Sequence, residues 1–98
     1  MGRRKIHHLT NVQKDYYVQN MVRYLPSLRA CLGVTQEDLA KVIGLSRFTL
    51  VEIERETRTM KWSTFLALLL IFSQNAETSQ LLDKFGIKDF ELSSYLML

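Results

Sequence analysis

The sequence is poor in the residues that cross-link or punctuate a chain. Its 98 residues include one cysteine, one proline and four glycines. A lone Cys31 forms no internal disulfide, so nothing in the chain calls for an oxidising compartment, and a cytoplasmic protein is expected. With proline only at Pro26 and glycine only at Gly2, Gly33, Gly44 and Gly86, the turn signals of a hairpin-rich β protein are missing. Long apolar runs are missing too, since the longest, Phe65–Phe72, is too short to span a bilayer. The opening MGRRKIHHLTN has basic residues but no apolar stretch behind them, so no secretory signal and no membrane partner are expected. The chain also offers no nucleophile–base pair, metal-ligand spacing or glycine-rich phosphate loop. Neither catalysis nor a cofactor is expected from it.

What is present suits one small folded domain: 47% of residues are apolar and 23% are charged. The net charge of +3 is unevenly placed. Residues 1–61 hold 11 Lys/Arg against 6 Asp/Glu, whereas residues 62–98 hold 2 against 4. A polyanionic partner for the N-terminal two-thirds would account for this asymmetry.

Helical spacing dominates. Residues 1–9 read as a basic arm. From Thr10, an N-cap candidate, apolar residues recur at Val18, Met21, Val22, Leu25, Leu28 and Leu32. Pro26 lies inside that run, which predicts a kink or break near Val22–Leu25, and Gly33 is placed to end the helix. Thr35 caps a second helix over about residues 36–42, and Ser46 caps a third over about 47–54. A fourth pattern, from Trp62 to about Gln74, is apolar on nearly every side, as befits a core or a subunit interface. Asn75 caps a fifth helix ending at Gly86. In the tail, residues 87–98, either Ile87-Lys88-Asp89-Phe90 is extended or Asp89 caps a last short helix.

Residues 35–56, TQEDLAKVIGLSRFTLVEIERE, place two short helical patterns around Ile43-Gly44-Leu45. Ala40 permits a close helix crossing, Gly44 permits a sharp turn, and Leu39, Ile43, Leu45, Leu50 and Ile53 form a common interior. Ser46, Arg47, Phe48 and Thr49 are left facing outward.

These residues resemble the phage repressor and Cro type of DNA-binding protein, the XRE family. The resemblance is carried by Leu28-Arg29, Gly33-Val34-Thr35-Gln36, Asp38-Leu39-Ala40, Ile43-Gly44-Leu45-Ser46, Leu50, Ile53-Glu54 and Phe65-Leu66, within about residues 25–72. It implies an all-α, compact five-helix repressor-like bundle over residues 10–86, with a helix-turn-helix at about 36–55 and a short C-terminal extension, 87–98. It also implies a homodimer on palindromic double-stranded DNA, regulating transcription as a repressor.

By position, the resemblance implies phosphate contacts from Gln36, Ser46 and Arg58, and base readout by Arg47, Phe48, Thr49 and Glu52. Arginine can fork onto guanine O6 and N7, Phe48 or Thr49 can pack on a thymine methyl, and Glu52 can accept from a cytosine amine. Arg29 and Glu54 are implied as a structural ion pair rather than DNA contacts. Glu56 and Met60 depart from the family, which often has Gly and Pro there. Glu56 is expected to forgo the positive-φ stop, so that the third helix either runs on or ends differently.

Outside the resemblance, Arg3, Arg4 and Lys5 are either an arm reaching into a groove or a solvated start. His7 and His8 lack companions for a metal site. Cys31 reads as a small hydrophobe beside Leu28 and Leu32 rather than a redox sensor. Phe48 either meets bases or packs beneath the third helix. Tyr16, Tyr17 and Tyr24 are expected over the core or across a dimer, and Trp62 in the core. Leu81, Leu82, Phe85, Ile87, Phe90, Tyr95, Leu96 and Leu98 offer a dimer surface or a cover for the core. Two rival functions fit the same residues: an antitoxin that also holds a toxin protein, and a protein-interaction module that no longer binds DNA.

Overall fold

Thr10 opens the first helix with a reciprocal cap. In the computed structural model, which describes residues 8–96, its hydroxyl accepts from Gln13 N at 3.1 Å while Gln13 Oε1 accepts from Thr10 N at 2.8 Å. From there α1 runs over Asn11–Leu32, followed by α2 (Gln36–Ile43), α3 (Arg47–Glu54), α4 (Trp62–Ser73), α5 (Ala76–Lys84) and α6 (Phe90–Tyr95). The described residues contain no strand, and no helix among them is long and apolar enough to cross a membrane.

The expected break at Pro26 does not occur, and α1 is continuous through it. Proline removes one amide donor from the ladder. Pro26 lies on the exposed side, however, while Met21, Leu25 and Leu28 on the other side are fully buried. Packing on both sides of the proline holds the helix across the missing bond.

α1 contacts α3, α4 and α5 and is the spine of the core. Around it Leu50, Phe65, Leu68, Phe72, Leu82, Ile87 and Leu92 lose all exposure. Each such side chain contributes about 1.5–3 kcal/mol of burial free energy. α4 buries Phe65, Leu68, Leu69 and Phe72 along one face, while Leu70 stays 65% exposed. Trp62 at its start is half-buried, stacked on Phe65 at 4.7 Å between centroids, with the Lys14 ammonium 5.4 Å from its ring. Thr78, a fully buried polar residue, donates to the Phe72 carbonyl at 2.6 Å and thereby joins α5 to α4.

Five helices were expected from the resemblance; the described residues form six. Asp89 caps α6 by accepting from Leu92 N at 2.8 Å, and the same carboxylate oxygen accepts from the Tyr17 hydroxyl at 2.7 Å. Burial, and then the Asp89 carboxylate, push the Tyr17 phenol well above its ordinary value. Asn20 donates to the Gly86 carbonyl and Gln13 to Glu91, which ties the C-terminal segment to α1 at two further points. Ile87 and Leu92 are both fully buried, so much of the apolar tail covers the core of its own chain. Tyr24 stacks on Phe85 at 4.0 Å, Tyr17 is buried, and Tyr16 stays exposed. Leu98 lies outside the described residues.

Candidate functional site

The outward end of α3 is set by how α2 stops. Gly44 takes φ 77°, and Leu45 N bonds back to Ala40 O at 2.9 Å, so the chain reverses within a few residues. Ala40 is 1% exposed at the crossing. Ser46 then caps α3, with its Oγ accepting from Thr49 N at 3.0 Å and donating to Thr49 Oγ at 2.9 Å. Leu50 and Ile53 turn inward and are buried. Arg47 and Phe48 are left outside, with Phe48 69% exposed, so it does not pack beneath the helix. Thr49 lies between these sets, half-buried.

Electrostatically this end is positive. The N-terminal dipole of α3 has no acid in its first turn. Among the described residues, Arg47 at this end enters no ion pair, and neither do Arg55 and Lys61 beyond the far end of α3. Arg47 and Gln36 border the same hollow between the starts of α2 and α3, together with Thr35 and Glu37.

Arg29 and Glu54 meet in a two-pronged pair: Nε donates to Oε2 at 2.8 Å and Nη2 to Oε1 at 2.9 Å. Gln36 Nε2 also donates to Glu54 Oε1 at 3.2 Å. One carboxylate therefore fastens α3 to α1 and to the start of α2, and it occupies one of the amide hydrogens of Gln36.

The end of α3 corrects the expectation for Glu56. This residue adopts φ 62°, the conformation that Gly44 has at the end of α2. Its amide bonds to Ile53 O, and Thr57 N bonds to Glu52 O, both at 3.0 Å. The same hydrogen-bonded stop is thus made with glutamate in place of glycine, at a cost of about 1–2 kcal/mol. A second bond from the Thr57 hydroxyl to Glu52 O, at 3.2 Å, helps hold it.

Beyond that stop, Arg58 folds back onto Glu52, with Nε donating to Oε1 at 2.8 Å and Nη2 lying 2.7 Å from the same oxygen. Arg58 shares a groove with Thr49, Thr59, Lys61 and Thr64. Thr59 and Lys61 escaped the sequence reading because they belong to the irregular segment before α4, where no periodicity indicates which side chains share a face, and Thr64 because nothing in its own helix shows that this segment lies against it. The Glu52–Arg58 pairing escaped it for a similar reason, as a separation of six is not a helical neighbour spacing.

The acidic trio is therefore largely neutralised: Glu52 by Arg58 and Glu54 by Arg29. Arg3, Arg4, Lys5 and His7 lie outside the described residues, and His8 is exposed. Cys31 is half-exposed and donates to Glu77 Oε2 at 3.5 Å. Desolvation, and then the Glu77 carboxylate, push its thiol up, away from the reactive thiolate form.

No family model matches the chain, and no curated protein or solved structure is detectably similar to it.

Proposed function

We propose that this chain is a sequence-specific, double-stranded DNA-binding transcriptional regulator of the phage repressor and Cro type, acting as a repressor. On this reading α2 and α3 form the helix-turn-helix and α3 enters the major groove. The observation that carries the proposal is the exposed, cationic start of α3, raised on a tight turn and clamped from behind by Arg29 and Glu54. A helix held this way presents Arg47, Phe48 and Thr49 to base edges with little freedom to lose. Gln36 and Ser46, at the starts of α2 and α3, contact phosphates and set the register. One such module buries little surface on DNA, so a homodimer on half-sites about one helical turn apart is expected.

The test is selection from a random duplex pool at about 150 mM salt, with wild type beside Arg47→Ala. A recovered palindrome whose preference relaxes at one position in the variant, by about 1–3 kcal/mol, supports the reading. Absence of any enriched sequence would defeat it.

One observation favours a second reading, in which the chain is an antitoxin or other protein-binding module. Leu66, Leu69, Leu70 and Leu96 border an apolar hollow away from α3, and Leu70 is 65% exposed. Salt dependence separates a protein-binding module from a DNA reader, since only the DNA reader loses affinity for a duplex steeply as salt rises; an antitoxin, which would bind its operator as well, is separated by co-purification with a toxin protein.

A further inference from the structure

Glu52 occupies a place on α3 where a side chain would face base edges, yet its carboxylate is already engaged. Both contacts from Arg58, Nε at 2.8 Å and Nη2 at 2.7 Å, fall on the one oxygen Oε1. The loop that delivers Arg58 is pinned to the same residue, because Glu52 O accepts from both Thr57 N and the Thr57 hydroxyl. Arg58 is nevertheless half open to water, at 50% side-chain exposure, against 26% for Glu52. It borders the groove that also holds Thr49, the half-buried residue that follows the exposed Arg47 and Phe48 on α3.

The chemistry of the pair decides what each member can do. An unpaired carboxylate here would repel DNA phosphates, and pairing with a guanidinium removes that penalty. A guanidinium carries five N–H donors in a fixed planar fork. Glu52 engages the Nε side. The Nη1 hydrogens remain without a protein acceptor among the described residues, and with the second Nη2 hydrogen they form the terminal fork. That fork matches guanine O6 and N7. Fixing the Nε side against Glu52 also limits the rotamer freedom Arg58 would otherwise lose on binding.

We infer that Arg58, delivered by the loop after α3, is a guanine-reading residue, and that Glu52 is its positioning residue rather than a base contact. The inference rests on the DNA-binding reading above. It moves Arg58 from phosphate contact to base readout, and it gives the Glu52 position on the recognition helix to a side chain from outside that helix.

The experiment measures binding to the operator recovered by selection, and to versions of it altered one base pair at a time. The proteins compared are wild type, Arg58→Ala, Arg58→Lys and Glu52→Ala, each first checked for an unchanged thermal midpoint. The expected result is loss of a guanine preference, about 10- to 100-fold, at the same base pair of each half-site in all three variants. Glu52→Ala should keep or gain affinity for the other duplexes, since it removes a negative charge from the surface.

Two results would overturn the assignment while leaving DNA binding intact. In one, Arg58→Ala weakens every duplex equally, Arg58→Lys restores it, and the salt slope falls by about one; Arg58 is then a phosphate contact. In the other, Glu52→Ala shifts the preference at a base pair where Arg58→Ala does not; Glu52 then reads cytosine itself. A wild-type protein that enriches no sequence would instead defeat the DNA-binding reading, and this inference with it.

Discussion

Two arginine–glutamate pairs hold α3 from opposite sides, and they differ mainly in how much water each one keeps. On the inner side, Arg29 and Glu54 are 18% and 7% exposed, meet through two parallel bonds, and leave few donors unused. On the outer side, Arg58 and Glu52 are 50% and 26% exposed and meet at a single oxygen. The chemistry is the same, but burial assigns it different work. An ion pair shielded from water is a fixed part of the fold, because breaking it would leave a charge buried and uncompensated. An ion pair at the surface gains little, because water and salt compete for both ends, so its members remain free to meet another ligand.

The largest effect expected from this contrast lies on the inner side. Arg29→Ala leaves Glu54 mostly buried with only the Gln36 amide for company, and should lower unfolding free energy by about 3 kcal/mol in a denaturant titration. A loss below about 1 kcal/mol would place the inner pair with ordinary surface pairs and erase the distinction.

Smaller and opposite in sign is the effect expected at the stop of α3. Glu56→Gly relieves left-handed backbone strain but gives the unfolded chain more freedom, so a net gain of about 0.5–1 kcal/mol is expected. A destabilised Glu56→Gly variant would mean that the glutamate side chain itself holds the loop that carries Arg58. The smallest effect belongs to the outer pair. Arg58→Ala should change unfolding free energy by no more than about 0.5 kcal/mol, and a loss as large as that of Arg29→Ala would make the outer pair structural too.

Much of the helical layout was legible because its signals are local. Thr10, Thr35, Ser46, Asn75 and Asp89 each accept a bond from an amide two or three residues on, so the residue type and its place before an apolar pattern suffice. The exposure of Arg47 was legible from the apolar spacing of Leu50 and Ile53 on the same helix, whereas Phe48 was open between base contact and packing beneath the helix until the structure placed it outside. Other features were illegible for identifiable reasons. A proline reads as a helix break until the apolar surface packed on its far side is known. A glutamate gives no sign of a positive φ, because that conformation is imposed by the bonds of its neighbours to Ile53 O and Glu52 O. The tail was ambiguous because an extended stretch over residues 87–90 and a short helix capped by Asp89 are compatible with the same composition.

The sequence by itself determined where helices begin, which faces are apolar, and that the start of α3 carries charge without apolar cover. These follow from interactions within a few residues along the chain. Only the tertiary structure decided that the tail closes the core, that α1 continues through Pro26, and which arginine meets which glutamate. Those outcomes depend on groups that folding brings together from 6 to 78 positions apart, from Arg58 on Glu52 to Gln13 on Glu91. Periodicity along a chain encodes which way a side chain faces, but the partner it meets is set by packing.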